Sequence, residues 1–174
     1  MLAVASSSPL SYIRNVTEHW GIDRYFQKLV SGETVKHPKP APDVFLKTAE
    51  ILGLSPEECL VIEDSENGCK AAKAAGMACM AYYNPDSGKQ DLSTAFALVE
   101  GFEEVDSAFV EKIYCHFHHL PAKVCETNRL LIREMEKGDI PRMMEICSQE
   151  TSADACEGVA KPLKEELEDI DDVS

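Results

Sequence analysis

The chain has 174 residues, 44% of them hydrophobic, and a formal net charge of −14. That length suits one ordinary domain, or a small domain with a piece of another, and the apolar share supplies a core and excludes wholesale disorder. The charge excludes the basic face that nucleic acid requires, and no apolar run nears the roughly 20 residues of a membrane span. Seven cysteines without a CxxC pair, and a Met1–Ala5 start without the basic lead of a signal peptide, point to a reducing cytoplasm.

Leu2 to Ala5 reads as a very short strand that ends in Ser6-Ser7-Ser8-Pro9. Leu10, Ile13, Thr17 and Trp20 then recur at helical spacing until Gly21. A serine cluster at a helix start can cap it, or can cradle phosphate with free backbone N–H groups. Lys28-Leu29-Val30 reads as a second strand, followed by Gly32 and a polar loop. From Lys36 to Asp43 the chain carries Pro38, Pro40 and Pro42, which make the segment extended and stiff. Pro42 and Asp43 suit the start of a helix whose apolar face is Phe45, Ala49 and Leu52 and whose end is Gly53. A stiff segment can hold one lysine ammonium in place, as phosphate chemistry needs; the alternative is a solvated Lys39.

Leu60-Val61-Ile62 is a continuous apolar run, which predicts a strand buried on both faces. It stops at two carboxylates, Glu63 and Asp64, and a small-residue helix begins at once. Ser65 can cap that helix, Cys69, Ala72 and Ala75 form its inner face, and Gly68 lets a ligand or neighbouring backbone come close. Open α/β sheets place ligands at the carboxyl ends of strands, where paired carboxylates suit a hard cation such as Mg²⁺. The alternative is an acid pair that only caps the helix. Met77 to Tyr83 reads as a further strand broken by Asn84-Pro85, and Ala95 to Val99 as a last one. Glu103 to about His119 reads as an amphipathic helix with Val105, Phe109, Ile113 and Phe117 on one face. Strands alternating with helices at these lengths predict a parallel βαβ sheet.

Pro121 marks a boundary. Beyond it Arg129 to Arg133 reads as a strand, and Asp139 can cap a helix carrying Ile140, Met143, Met144 and Cys147. Lys161 to Ser174 reads as an acidic surface helix or frayed tail. Cys115-His116-Phe117-His118-His119 could supply metal ligands, but three histidines at a helix C-terminus also complement its dipole. Cys59, Cys69 and Cys79 match no ligand spacing and read as small buried apolar residues.

Ser6, Lys39 and Glu63-Asp64 follow one another at strand ends. A hydroxyl, a fixed cation and a metal-binding carboxylate are the parts that clamp a transferring phosphoryl group. Here the sequence resembles the haloacid dehalogenase superfamily, on its β-phosphoglucomutase-like side. Ala3-Val4-Ala5-Ser6-Ser7-Ser8 is similar to its second motif, Lys39-Pro40-Ala41-Pro42-Asp43-Val44-Phe45 to its third, and Val61-Ile62-Glu63-Asp64-Ser65-Glu66-Asn67-Gly68 to its fourth. The resemblance implies an α/β Rossmann-like parallel sheet with flanking helices. It implies Ser6 and Lys39 as catalytic residues, with Ser7 beside them on phosphate. It implies Asp64 as the direct Mg²⁺ ligand, with Glu63 behind it ordering the site. The implied reaction is Mg²⁺-dependent hydrolysis or transfer of phosphate, from a small phosphorylated metabolite such as a sugar phosphate, through an aspartyl-phosphate.

The family's first motif, an apolar strand ending in Asp-x-Asp-x-Thr/Val with the nucleophile, should precede Ser6, together with a helical cap that selects the substrate. The expectation is therefore a sheet incomplete at its N-terminus, inactive alone, and completed by an N-terminal segment in trans. The missing strand is central in the family, so the two halves should leave a gap or else close up with Leu2–Ala5 on Leu60–Ile62. Asp169-Ile170-Asp171-Asp172-Val173 matches the first motif formally, but Lys164 to Glu168 before it is a charged helix pattern and the terminus is close. Thr127 to Met135 followed by Gly138-Asp139-Ile140-Pro141 resembles the opening strand and helix of GNAT acetyltransferases, without their acetyl-CoA loop. The expected division is a dehalogenase-like core over 1–101, a connecting helix over 102–122, and an incomplete GNAT-like α+β segment with an acidic tail over 123–174. The alternatives are a truncated, non-catalytic binding fragment, or part of a fusion with an acetyltransferase.

Overall fold

The computed structural model describes residues 1–103 and 105–147. The chain divides into two compact units, Met1–His119 and Leu120–Ser174. In the first, strands and helices alternate: β1 (Ala3–Ser6), α1 (Leu10–His19), β2 (Lys28–Ser31), α2 (Asp43–Leu52), β3 (Leu60–Glu63), α3 (Glu66–Ala74), β4 (Ala78–Tyr82), β5 (Ala97–Val99) and α4 (Ser107–Phe117). Every pairing among these strands is parallel: β1 with β2, β3 with β4, and β4 with β5. This is the α/β architecture that the alternation predicts.

The strands form two sheets, β1-β2 and β3-β4-β5, with no ladder between β1 and β3. The closing-up of Leu2–Ala5 onto Leu60–Ile62 does not occur. Leu2 turns both its N–H and its C=O toward Gln27, beside β2. Because successive residues of a strand point their backbone groups to opposite edges, Val4 faces β2 and Ala3 and Ala5 face the other edge, which has no strand partner among the described residues. One core nevertheless unites the two sheets. Val30 of β2, Val44, Phe45 and Ala49 of α2, Val61 of β3, and Cys69, Ala71 and Ala72 of α3 belong to a single buried cluster. Alanine on the inner face of α3 lets that helix lie close to the strands, and Met80 at the centre of β4 is fully buried.

One expectation about burial is corrected. Leu60–Ile62 is not buried on both faces: Val61 is 7% exposed, whereas Ile62, on the opposite face, is 51% exposed. Trp20 is 72% exposed, because it follows the last turn of α1, which buries Ile13 and Thr17. The predicted helix over 103–119 starts later, at Ser107, where the Asp106 carboxylate accepts the Phe109 N–H at 2.8 Å and caps it. Ile113 is buried and Phe117 meets Phe96 edge-on, with ring centroids 5.4 Å apart.

The second unit opens with an antiparallel hairpin, β6 (Lys123–Glu126) and β7 (Leu131–Arg133), and continues to α5 (Ile140–Cys147). The sequence reading contains β7 but not β6, whose four residues are too short and too charged to show a strand period. Asp139 does not act as a simple cap: both its oxygens accept from the Arg133 guanidinium, each at 2.8 Å. The tail from Lys161 to Ser174, with Asp169–Val173, lies outside the described residues.

Candidate active site

Lys39 is the side chain on which the two sheets converge. The loop before α2 is stiffened by its prolines and by Asp43, whose carboxylate accepts the His37 N–H at 3.0 Å and meets His37 Nδ1 at 2.8 Å. That loop delivers Lys39 Nζ to three neighbours: the Ala5 C=O at 3.2 Å, the Glu63 carboxylate, and the face of the Phe45 ring, 4.4 Å from its centroid. Ala5 lies on the free edge of β1 and Glu63 ends β3, so one ammonium joins two strand ends that share no ladder. The Lys39 and Glu63 side chains are 9% and 11% exposed. A desolvated charge pair of this kind persists only with its remaining hydrogen bonds satisfied.

Glu63 meets that condition. Its Oε2 accepts from the backbone N–H groups of Asp64 and Ser65, both at 3.1 Å, and from the Ser65 hydroxyl at 2.8 Å. Ser65 in turn caps α3 by accepting the Gly68 N–H at 3.1 Å. The absent side chain at Gly68 makes room for Glu63 itself, because a Cβ there would collide with the Glu63 carboxylate. Of the two adjacent acids, Glu63 holds the strand-to-helix turn together. Asp64 is left for other work.

Asp64 accepts from the Asn84 amide at 3.0 Å and the Ser87 hydroxyl at 2.9 Å, both on Oδ2. The Asn84 amide, against the opposing effect of burial and with help from Ser87, the Asp64 backbone and the Lys39 charge, holds its carboxyl below the ordinary range. It is thus a hard, ionised oxygen donor with Oδ1 turned from those two groups. No group of three His, Cys, Asp or Glu among the described residues forms a metal cage. One carboxylate beside an open polar cavity is a donor set that Mg²⁺ accepts, since it completes its shell with water and phosphate.

Ser6 and Ser7 occupy the turn after β1. Ser6 Oγ accepts the Ser8 N–H at 3.1 Å, and Ser31, buried at the end of β2, donates its hydroxyl to the Ser8 C=O at 2.7 Å. Beside it Gly32 runs so close that a Cβ would lie 3.1 Å from the Ser7 Cα. A cavity of about 450 Å³ is lined by Ser7, Lys39, Ser65, Glu66, Asn67 and Gln90. It contains Ser7 and Lys39 of the predicted set, while Ser6, Glu63 and Asp64 lie outside its lining.

Residues 1–82 match the family model of haloacid dehalogenase-like hydrolases. Over this segment the chain is similar to the haloacid dehalogenase superfamily. Over 76 residues, 44% of the chain, the dehalogenase-like segment is 42% identical to fructose-1-phosphate phosphatase YqaB of Escherichia coli, of which it covers 40%. The fold resembles β-phosphoglucomutase from Clostridium difficile with a TM-score of 0.59 and 26% identity, over 67% of this chain and 50% of that one. It resembles CbbY from Rhodobacter sphaeroides, solved with xylulose-(1,5)bisphosphate, with a TM-score of 0.56 and 29% identity, over 60% and 48%. The chain thus spans half or less of the length of each of these relatives. The family match ends before the second unit, whose GNAT-like reading rests on sequence alone.

Several residues of the dehalogenase-like site carry no sequence signal. Asn84, Ser87 and Gln90 sit in the connection after β4, where spacing has no period, and Ser31 is the last residue of β2. At the far end of this unit the histidines do other things: His118 Nε2 lies 2.9 Å from the Glu57 carbonyl, and its ring packs 4.3 Å from that of Tyr114.

Proposed function

We propose that the first unit carries the phosphate-binding half of a Mg²⁺-dependent enzyme that hydrolyses or transfers phosphate on small sugar phosphates. The single observation that carries this reading is Lys39, a nearly buried ammonium at the mouth of a polar cavity. An ammonium has three N–H donors. Two are directed at the Ala5 carbonyl and the Glu63 carboxylate, which leaves the third for a phosphate oxygen. Ser6, whose Oγ accepts from Ser8, keeps its own O–H to donate, and Ser7 lines the cavity beside Lys39. Asp64 is the metal ligand, with Glu63 fixing the turn it stands on. Mg²⁺, when bound, neutralises the phosphate oxygens and orients the transferring group. The substrate class follows the relatives, a fructose-1-phosphate phosphatase and a protein solved with xylulose-(1,5)bisphosphate.

The nucleophile in this reading is an aspartate on a further strand that seats between β1 and β3, supplied by an N-terminal segment in trans or by a longer polypeptide. Its carboxylate attacks phosphorus, the alkoxide leaves, and water then hydrolyses the aspartyl-phosphate. The unpaired edges of β1 and β3 support this placement, as does the lysine that ties their ends together.

Turnover of p-nitrophenyl phosphate with Mg²⁺ tests the reading. The chain alone should be silent, and the chain co-expressed with a strand segment carrying Asp-x-Asp-x-Thr should turn over. Lys39→Ala should then lower kcat by about 100-fold or more, as loss of a charge-stabilising donor does. Activity that survives Lys39→Ala, or turnover by the chain alone, overturns it.

A further inference from the structure

We propose that the segment Asn84–Gln90 is a positioning strap for the metal ligand. Asn84 and Ser87 aim the Asp64 carboxylate, and Gln90 ties the strap to the first turn of α3. The inference rests on the reading of Asp64 as a metal ligand.

The strap retains little freedom. Asn84 follows β4 and precedes Pro85, whose ring fixes the first step of a 3-10 turn over Pro85–Ser87. The Asn84 side-chain carbonyl accepts the Asp86 N–H at 3.0 Å. An amide that has committed its oxygen to that turn must point its NH₂ the other way, and the NH₂ reaches Asp64 Oδ2 at 3.0 Å. The Ser87 hydroxyl takes the same oxygen at 2.9 Å. Gln90 closes the strap: its Nε2 donates to the Ser87 C=O at 3.0 Å, and its Oε1 accepts the Glu66 N–H at 3.0 Å. That last bond satisfies one of the backbone donors that a helix start leaves free.

Two donors on one oxygen fix the rotation of a carboxylate. Oδ2 is occupied, and the lone pairs of Oδ1 are held in a set direction. Outer partners that orient a ligating carboxylate typically change metal affinity by 10–100-fold when removed. Gln90 also lines the cavity, so the strap joins the metal ligand to the wall of the substrate space.

The test is Mn²⁺ binding to the whole chain, followed by electron paramagnetic resonance in the presence of inorganic phosphate. Asp64→Asn should abolish the bound signal. Ser87→Ala and Asn84→Ala should each weaken Mn²⁺ binding by about tenfold or more, and Ser87→Thr, which keeps the hydroxyl, should restore it. Thermal midpoints recorded without metal separate positioning from folding, because a merely structural role would lower them and leave the affinity of the folded protein unchanged. Wild-type affinity in both Ser87→Ala and Asn84→Ala overturns the strap alone. Absence of any Mn²⁺ binding by the wild-type chain overturns the metal reading of Asp64 and the strap with it.

Discussion

The Glu63 carboxylate occupies the space that a side chain at position 68 would need, and it is also the partner of a lysine that water barely reaches. These facts make two substitutions informative. Glu63→Gln keeps the shape and removes the charge, leaving the Lys39 ammonium unpaired in a desolvated place. Such a break in a buried pair costs about 3 kcal/mol, so urea unfolding should show a loss of unfolding free energy of that size. Gly68→Ala leaves Glu63 intact and evicts its carboxylate, so it should destabilise to a comparable extent; wild-type stability in Gly68→Ala would mean that Glu63 has another rotamer available. The buried thiols carry a pH dependence of known sign. Burial raises the Cys69 and Cys79 thiols above their ordinary range. Below the unfolded thiol value of about 8.5 both states hold their protons and stability is unaffected. Above it the unfolded chain ionises while the folded one does not, so stability falls as pH rises. The urea midpoint should therefore be level from pH 7 to about 8.5 and decline beyond, with a shallower decline in the Cys69→Ala/Cys79→Ala variant.

At the scale of elements, β1 is the strand whose two edges differ most. Val4 gives its backbone groups to β2, whereas Ala3 presents its own to the unpaired edge. Proline removes an N–H, which matters only where that N–H is in a ladder. Ala3→Pro should therefore be tolerated and Val4→Pro should unfold the β1-β2 pair; circular dichroism melts of the two variants check this, and equal damage would show that β1 is paired on both sides. Most elements of the first unit were legible in the sequence because β1, β2 and β3 are short apolar runs, each ending in a polar turn and followed by a helix with a clear period. Lys39 and Asp64 were legible because prolines and a strand-to-helix junction frame them. What escaped was whatever a loop decides. Ser31 follows the strand read over Lys28–Val30, and nothing in its neighbours says that its hydroxyl will clasp the Ser8 carbonyl. Asn84-Pro85 read only as a strand break, because the sequence does not reveal that the turn it starts folds back onto Asp64.

At the largest scale, the decisive feature of the first unit is a buried cluster that is continuous and a sheet that is not. Helices α2 and α3 bury one continuous cluster across both halves, so the halves are held together from one side by side chains. The backbone offers no such continuity, since among the described residues β1 and β3 each have one strand partner. Unpaired backbone groups on strands next to a core recruit other strands. The chain by itself should consequently self-associate. Analytical ultracentrifugation over a range of concentrations should show species larger than the monomer, and thermal unfolding should be broad. An apolar strand segment ending in Asp-x-Asp-x-Thr, co-expressed with the chain, should give a one-to-one complex with a sharper transition. Ala3→Pro makes the prediction specific. It leaves the β1-β2 ladder alone but removes an N–H from the edge that the added strand must use, so it should spare the isolated chain and prevent the complex from forming. Complex formation undiminished by Ala3→Pro would place the added strand elsewhere, and a sharply melting monomer without any added strand would show that the two sheets need no third party to join them.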